Sequence, residues 1–97
     1  MMRIELQDST KTMTMRIEGR FIGKFAEDAR VLITHCTKLP KLIVNLSEVS
    51  VVDSTGEEVL SWLGQLGGEF VAEKSYSLHV CERLHLPMAG TLSRSRH

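Results

Sequence analysis

An α/β fold built on a mixed four- to five-stranded sheet packed with helices is predicted by four features of the sequence. Met13, Met15 and Ile17 alternate with Thr12, Thr14, Arg16 and Glu18, the period of a half-buried strand. From Phe25 the period changes, and Phe25, Ala29, Leu32, Ile33 and Cys36 fall on one helical face. A second amphipathic set, Val59, Leu60, Trp62, Leu63 and Leu66, follows later. Between the two lies Leu42 to Leu46, nearly continuous in apolar residues, as expected of a strand covered on both faces.

The remaining elements fit around these. Met2, Ile4 and Leu6 form a weaker alternating set, and the polar stretch Gln7 to Lys11 reads as the turn of a hairpin. Gly19 and Gly23 punctuate a loop around Arg20, Phe21 and Ile22. Pro40 lies just past the first helix, and Gly67-Gly68 ends the second. Phe70-Val71-Ala72 is a short strand. Ser75 to Leu86 fits a third helix through Leu78, Cys81 and Leu84, with Val80 beside them and Pro87 as a stop. The order is β-β-α-β-α-β-α, and the later strands are expected parallel because helical crossovers join them. Residues 1–90 are read as one domain and 91–97 as a flexible polar tail.

Size and composition narrow the function. Ninety-seven residues suffice for a single core without a second lobe. Twelve basic residues balance twelve acidic ones, which points away from nucleic acid and anionic membranes and toward another protein as the partner. No apolar stretch approaches the ~18 residues of a membrane span, and the N-terminus lacks the apolar run of a signal peptide. Cys36 and Cys81 stand alone and are read as reduced, in a cytoplasmic protein.

The segment with the most chemistry is Asp53-Ser54-Thr55-Gly56-Glu57-Glu58, at the mouth of the second helix. Free backbone N–H groups there favour anions, and a hydroxyl at that position is exposed to modification. Helix capping accounts for the same residue types: Ser54 with Glu57, and Thr55 with Glu58, are spaced as capping boxes.

The run from Leu42 through Val52-Asp53-Ser54-Thr55-Gly56 resembles the signature of the STAS domain, the module of bacterial anti-sigma factor antagonists. The match covers most of residues 3 to 86 and is most specific at Asp53 to Gly56; elsewhere it is one of pattern. The resemblance implies a STAS-like fold and a phosphoacceptor at the hydroxyl residue before the motif glycine, here Thr55, with Asp53, Ser54 and Gly56 shaping its turn. It further implies a partner that is both serine-protein kinase and anti-sigma factor, of the histidine-kinase-like ATPase fold. This partner is bound when Thr55 is unmodified and released on phosphorylation, and a phosphatase resets the cycle. The expected binding surface comprises Asp53, Ser54, Gly56, Glu57 and Glu58, the exposed side of the second helix, and Phe21 in its glycine-bounded loop. Glu57 and Glu58 depart from the family pattern, in which aliphatic or small residues are common after the glycine. They are suited to a basic partner surface, or they hinder phosphorylation by like charge.

Other readings are weaker. His79, Cys81 and His85 suggest a metal site, since Cys81 and His85 are four apart on one helical face. Two ligands from one helix need at least one more from elsewhere, however, and no obvious second pair exists, so a core cysteine beside surface histidines is the better account and no metal is assigned. A Ser-His-Asp hydrolase built on Ser54, a histidine and Asp53 would lack the G-x-S-x-G elbow, and the chain is small for a substrate pocket. No P-loop or dinucleotide fingerprint is present, so no catalytic residue and no cofactor is assigned. Trp62 reads as core. The alternative function is a STAS-like scaffold, or a self-associating module, that works without phosphorylation.

Overall fold

The computed structural model describes residues 2–9, 11–36 and 41–89. Its elements are β1 (Met2–Asp8), β2 (Thr12–Phe21), α1 (Gly23–Thr34), β3 (Lys41–Val52), α2 (Ser54–Gln65), β4 (Glu69–Val71) and α3 (Ser75–Arg83), in the order expected. Among the described residues, four strands form one sheet in the order β1-β2-β3-β4. The β1/β2 hairpin is antiparallel, while β3 runs parallel to β2 and β4 parallel to β3. The stop at Pro40 and the tail at 91–97 lie outside the described residues.

One face of the sheet carries the core. Met13, Met15 and Ile17 of β2 lie beside Leu42, Val44 and Leu46 of β3, with Phe70 of β4 opposite Val44, and all are buried. The helices close over this face with Ala26, Ala29 and Ile33 of α1, Val59, Leu60 and Leu63 of α2, and Val80 and Cys81 of α3. The other face is largely polar, with Thr12, Thr14 and Arg16 beside Lys41, Ile43 and Asn45. Covering on both faces of β3 is therefore not found. Its residues alternate between buried and half-exposed as far as Leu46, as suits a sheet with helices on one side.

Strand β3 is also longer than Leu42–Leu46. Two register shifts against β2, around Leu46–Ser47 and at Ser50, keep it paired through to Val52. Each inserts an extra residue, and such bulges bend a strand and re-aim its end. They interrupt the alternation that would have revealed the strand, and they carry its C-terminus to the start of α2.

The helices are rotated from their expected faces. In α1 the small residues Ala26 and Ala29 face the sheet, which leaves Phe25 and Leu32 exposed at the edge of the stripe. In α3 the buried set is Ser77, Val80 and Cys81, and Leu78 is exposed. Helix α3 also stops at Arg83, three residues before Leu86. Both α2 and α3 end in Schellman turns. Gly68 N–H donates to the Leu63 carbonyl and Gly67 N–H to Gly64, with Gly67 at φ 96°. Leu86 N–H donates to Cys81 and His85 N–H to Glu82, with His85 itself at φ 56°.

Candidate functional site

The segment Asp53 to Glu58 sits where β3 delivers the chain to α2. Asp53 is the residue before the helix, in an extended conformation (φ −96°, ψ −172°), and its Oδ1 accepts a hydrogen bond from Gly56 N–H at 2.8 Å. This is the helix cap, so the capping boxes assigned to Ser54 and Thr55 are not the arrangement found. Those residues are the first two of the helix. Ser54 is exposed and Thr55 half-buried, with both hydroxyls outside the capping bond.

The second oxygen of Asp53 has a separate task. Oδ2 accepts from Gly23 N–H at 3.1 Å, the first residue of α1. Helix α1 has no side-chain cap of its own, since Ile22 stands at its cap position. One carboxylate therefore serves two helix N-termini, and its negative charge is favourable at both.

Gly56 and Phe21 fix the height of α2 over the sheet. A Cβ at position 56 would overlap the carbonyl oxygen of Phe21 and stand 2.8 Å from Val52 Cγ1. Only glycine allows this approach. Phe21 is fully buried at the end of β2, with its ring edge beneath Gly56. The expectation of Phe21 in an exposed, partner-facing loop is thus corrected: β2 continues past Gly19, which adopts φ 92°, and the Phe21 ring anchors the α2 start from below. Gly56 is buried as well, so it shapes the turn and offers no surface to a partner.

The two glutamates differ. Glu57 forms a hydrogen-bonded ion pair with Arg83 at the end of α3, and that bond holds the Arg83 guanidinium above its ordinary pKa. Glu58 is exposed. The carboxylate charge expected beside Thr55 is therefore partly neutralised from within the chain. Two further contacts fasten α3 to the same corner: Val52 N–H donates to the Tyr76 hydroxyl at 2.8 Å, and Lys74 pairs with Glu48 at 3.1 Å. Gly23 is legible in the sequence only as loop punctuation, and Tyr76 and Arg83 carry no signal there, since each of the three lies more than 20 residues from its partner and no spacing links them.

Beside α2 runs an open groove of about 430 Å³, lined by Ser54, Glu57, Ser61, Trp62 and Leu84 among others. Trp62 is half-buried on its wall, and the Arg30 guanidinium from α1 lies 5.2 Å from the ring centroid. No described histidine lines this groove, and Asp53 is occupied by two backbone donors, so the residues of a Ser-His-Asp relay are not brought together. Among the described residues, no group of three or more His, Cys, Asp or Glu could hold a metal ion. Cys81 is buried, and desolvation, with a smaller contribution from Glu82, pushes its thiol from 9.0 to about 11. His85 is exposed and forms the turn after α3.

A small α/β domain with this strand order, and a capped glycine turn launching α2 from the sheet, has the STAS-type fold of the anti-sigma factor antagonists. The chain is similar to the anti-sigma factor antagonist SpoIIAA in its unphosphorylated form, with a TM-score of 0.67 and 18% identity over 97% of this chain and 98% of that one. It is also similar to a sulfate transporter family protein from Wolinella succinogenes (TM-score 0.61, 18% identity, 79% of this chain and 69% of that one). A third likeness is to a protein of the DUF3478 family from Shewanella loihica with a SpoIIAA-like fold (TM-score 0.56, 10% identity, 90% and 81%). No protein-family model matches the chain, and no functionally curated protein matches it in sequence.

Proposed function

We propose that the chain is a non-enzymatic, phosphorylation-controlled protein-binding switch of the anti-sigma factor antagonist type. Thr55 is the acceptor in this reading. The partner is a serine-protein kinase that is also an anti-sigma factor, of the histidine-kinase-like ATPase fold, and a phosphatase reverses the modification. The setting is cytoplasmic; among the described residues no helix is long and apolar enough to cross a membrane.

The observation that carries the reading is the division of labour at the turn. Asp53 caps α2, so the Thr55 hydroxyl is not needed for capping, and Thr55 is only half-buried in the first turn. Support also comes from the likeness to SpoIIAA, whose described form is the unphosphorylated one.

The switch follows from charge. Phosphate adds about −1.5 to −2 charge and three acceptor oxygens. The helix N-terminus offsets part of this, by about 0.3–1 kcal/mol. A partner docked face-on over Asp53, Ser54, Glu57 and Glu58 would instead enclose a dianion beside an exposed Glu58. Losing a complementary contact and gaining repulsion costs several kcal/mol, enough to separate a micromolar complex. No refolding of the domain is required.

The test is to incubate the chain with ATP and a lysate of the cells that make it, then locate phosphate by peptide mass spectrometry. Phosphate on Thr55, and none on a Thr55→Val variant, is the expected result. Phosphate at Ser54 alone, or none while other substrates of the lysate are phosphorylated, contradicts the reading.

A further inference from the structure

Strand β1 forms one border of the sheet, and among the described residues no strand pairs with its outer edge. It spans seven residues, pairs with β2 without a bulge, and contains neither Pro nor Lys, which commonly blunt such edges. Its apolar side is poorly covered. Ile4 and Leu6 stand opposite the fully buried Ile17 and Met15, yet Ile4 is only half-buried and Leu6 is 41% exposed. Helix α1 adds Phe25 and Leu32, 39% and 41% exposed. At 100° per residue, these two lie about 140° and 160° around the helix from Arg30, which marks the side facing α2. Apolar surface thus collects on the side of α1 away from α2, while β1 leaves backbone groups unpaired along its outer edge.

We propose that this edge pairs with β1 of a second copy of the chain, antiparallel and two-fold symmetric about Ile4, making one continuous sheet across two molecules. The charges of β1 select that register. A two-fold axis normal to the sheet keeps both apolar sides together and must pass through a residue. Centred on Arg3 or on Glu5, it sets like charges against each other. Centred on Leu6, it sets Ile4 opposite Asp8. Centred on Ile4, it sets Arg3 of each copy opposite Glu5 of the other, Met2 opposite Leu6, and Ile4 opposite itself.

The rows extend into β2. Within one chain Arg3 stands opposite Glu18 and Glu5 opposite Arg16. The proposed pair therefore reads Glu18, Arg3, Glu5, Arg16 across four strands, alternating in sign at every step, and the two-fold repeats the row in reverse. Opposite charges directly across a ladder stabilise it and like charges oppose it. In the single chain Arg3 and Glu5 pair with each other at 2.6 Å on the strand surface, so both are already turned to the face on which the rows form.

The experiment is sedimentation equilibrium, with circular dichroism as a check on folding, from micromolar to millimolar concentration. Wild type should move toward twice the 10.9 kDa of one chain. Arg3→Glu and Glu5→Arg should each weaken dimerisation at least about tenfold, because each sets like charges across the axis twice. An equimolar mixture of the two variants should regain the dimer, since every cross-axis pair is then of opposite sign. Any in-chain repulsion is identical in the separate and mixed samples, so recovery isolates the contact between copies. A wild type that keeps the single-chain mass throughout overturns the proposal, as does a single variant that dimerises like wild type or a mixture that stays monomeric. Hydrogen exchange supplies a reading that needs no variant: β1 amides should exchange more slowly as wild-type concentration rises, and unchanged exchange also overturns the proposal.

Discussion

Asp53 and Gly23 are joined across 30 residues of sequence, the Gly23 N–H donating to Oδ2 of a carboxylate whose Oδ1 already caps α2. The two helices that meet over the centre of the sheet thus start from one side chain. Loss of a helix cap costs about 1–2 kcal/mol, and here two N-termini lose a partner together. Asp53→Ala should therefore destabilise the fold by about 2 kcal/mol in urea unfolding. Asp53→Asn keeps one acceptor oxygen and should cost about half as much.

Gly56 and Gly64, both in α2, should respond in opposite directions to alanine. At 56 a methyl meets backbone, the carbonyl of Phe21, which cannot turn aside. Overpacking of this kind costs about 3 kcal/mol, at the upper end of its usual range. At 64 the added Cβ would lie 3.5 Å from Pro87 Cδ and 3.6 Å from Phe70 Cε1, ordinary contact distances. Gly64→Ala then gains helix propensity of about 1 kcal/mol. Thermal unfolding of the two variants measures this contrast; equal effects would contradict the packing described.

His85 follows α3 in a left-handed conformation, φ 56°, where an L residue carries strain of about 1–2 kcal/mol. Glycine removes the strain but gives the unfolded chain more freedom. His85→Gly should therefore raise stability by up to about 1 kcal/mol, read from the shift in denaturation midpoint.

Alkaline pH should expose Cys81. Its thiol is raised from 9.0 to about 11 by burial. Below pH 9 it is protonated in folded and unfolded chains alike, and its environment adds no pH dependence. Above pH 9 the unfolded chain loses the proton while the folded one retains it, so stability falls as pH climbs toward 11. The loss amounts to about 2 kcal/mol at the upper end. Unfolding of wild type and Cys81→Ala across pH 8–11 checks this, because the variant should lack that part of the decline.

The element order was legible because hydrophobic periodicity sets it: alternation in β2, the helical repeat in α2, the apolar run that opens β3. What escaped was set by contacts remote in sequence. Bulges at Leu46–Ser47 and Ser50 hid the second half of β3. Small residues at 26 and 29 let α1 sit close to the sheet and turned Phe25 outward, a choice that periodicity alone does not make. The turn at Asp53 to Gly56 is distinct in the sequence, but which residue caps it is not, since capping boxes at Ser54 and Thr55 and a lone Asp53 cap share residue types. Phe21 looked like a loop residue between glycines; its burial depends on Gly56, 35 positions away, letting α2 approach. Arg83 carries no local signal of its pairing with Glu57.

The switch itself is tested most directly by a pull-down from a lysate of the cells that make the chain, with ADP or ATP present, comparing wild type with Thr55→Asp. Wild type should retain a kinase of the ATPase fold, and Thr55→Asp, folded by circular dichroism, should lose it. Retention of the same kinase by both, or recovery of no kinase by either, would contradict the switch.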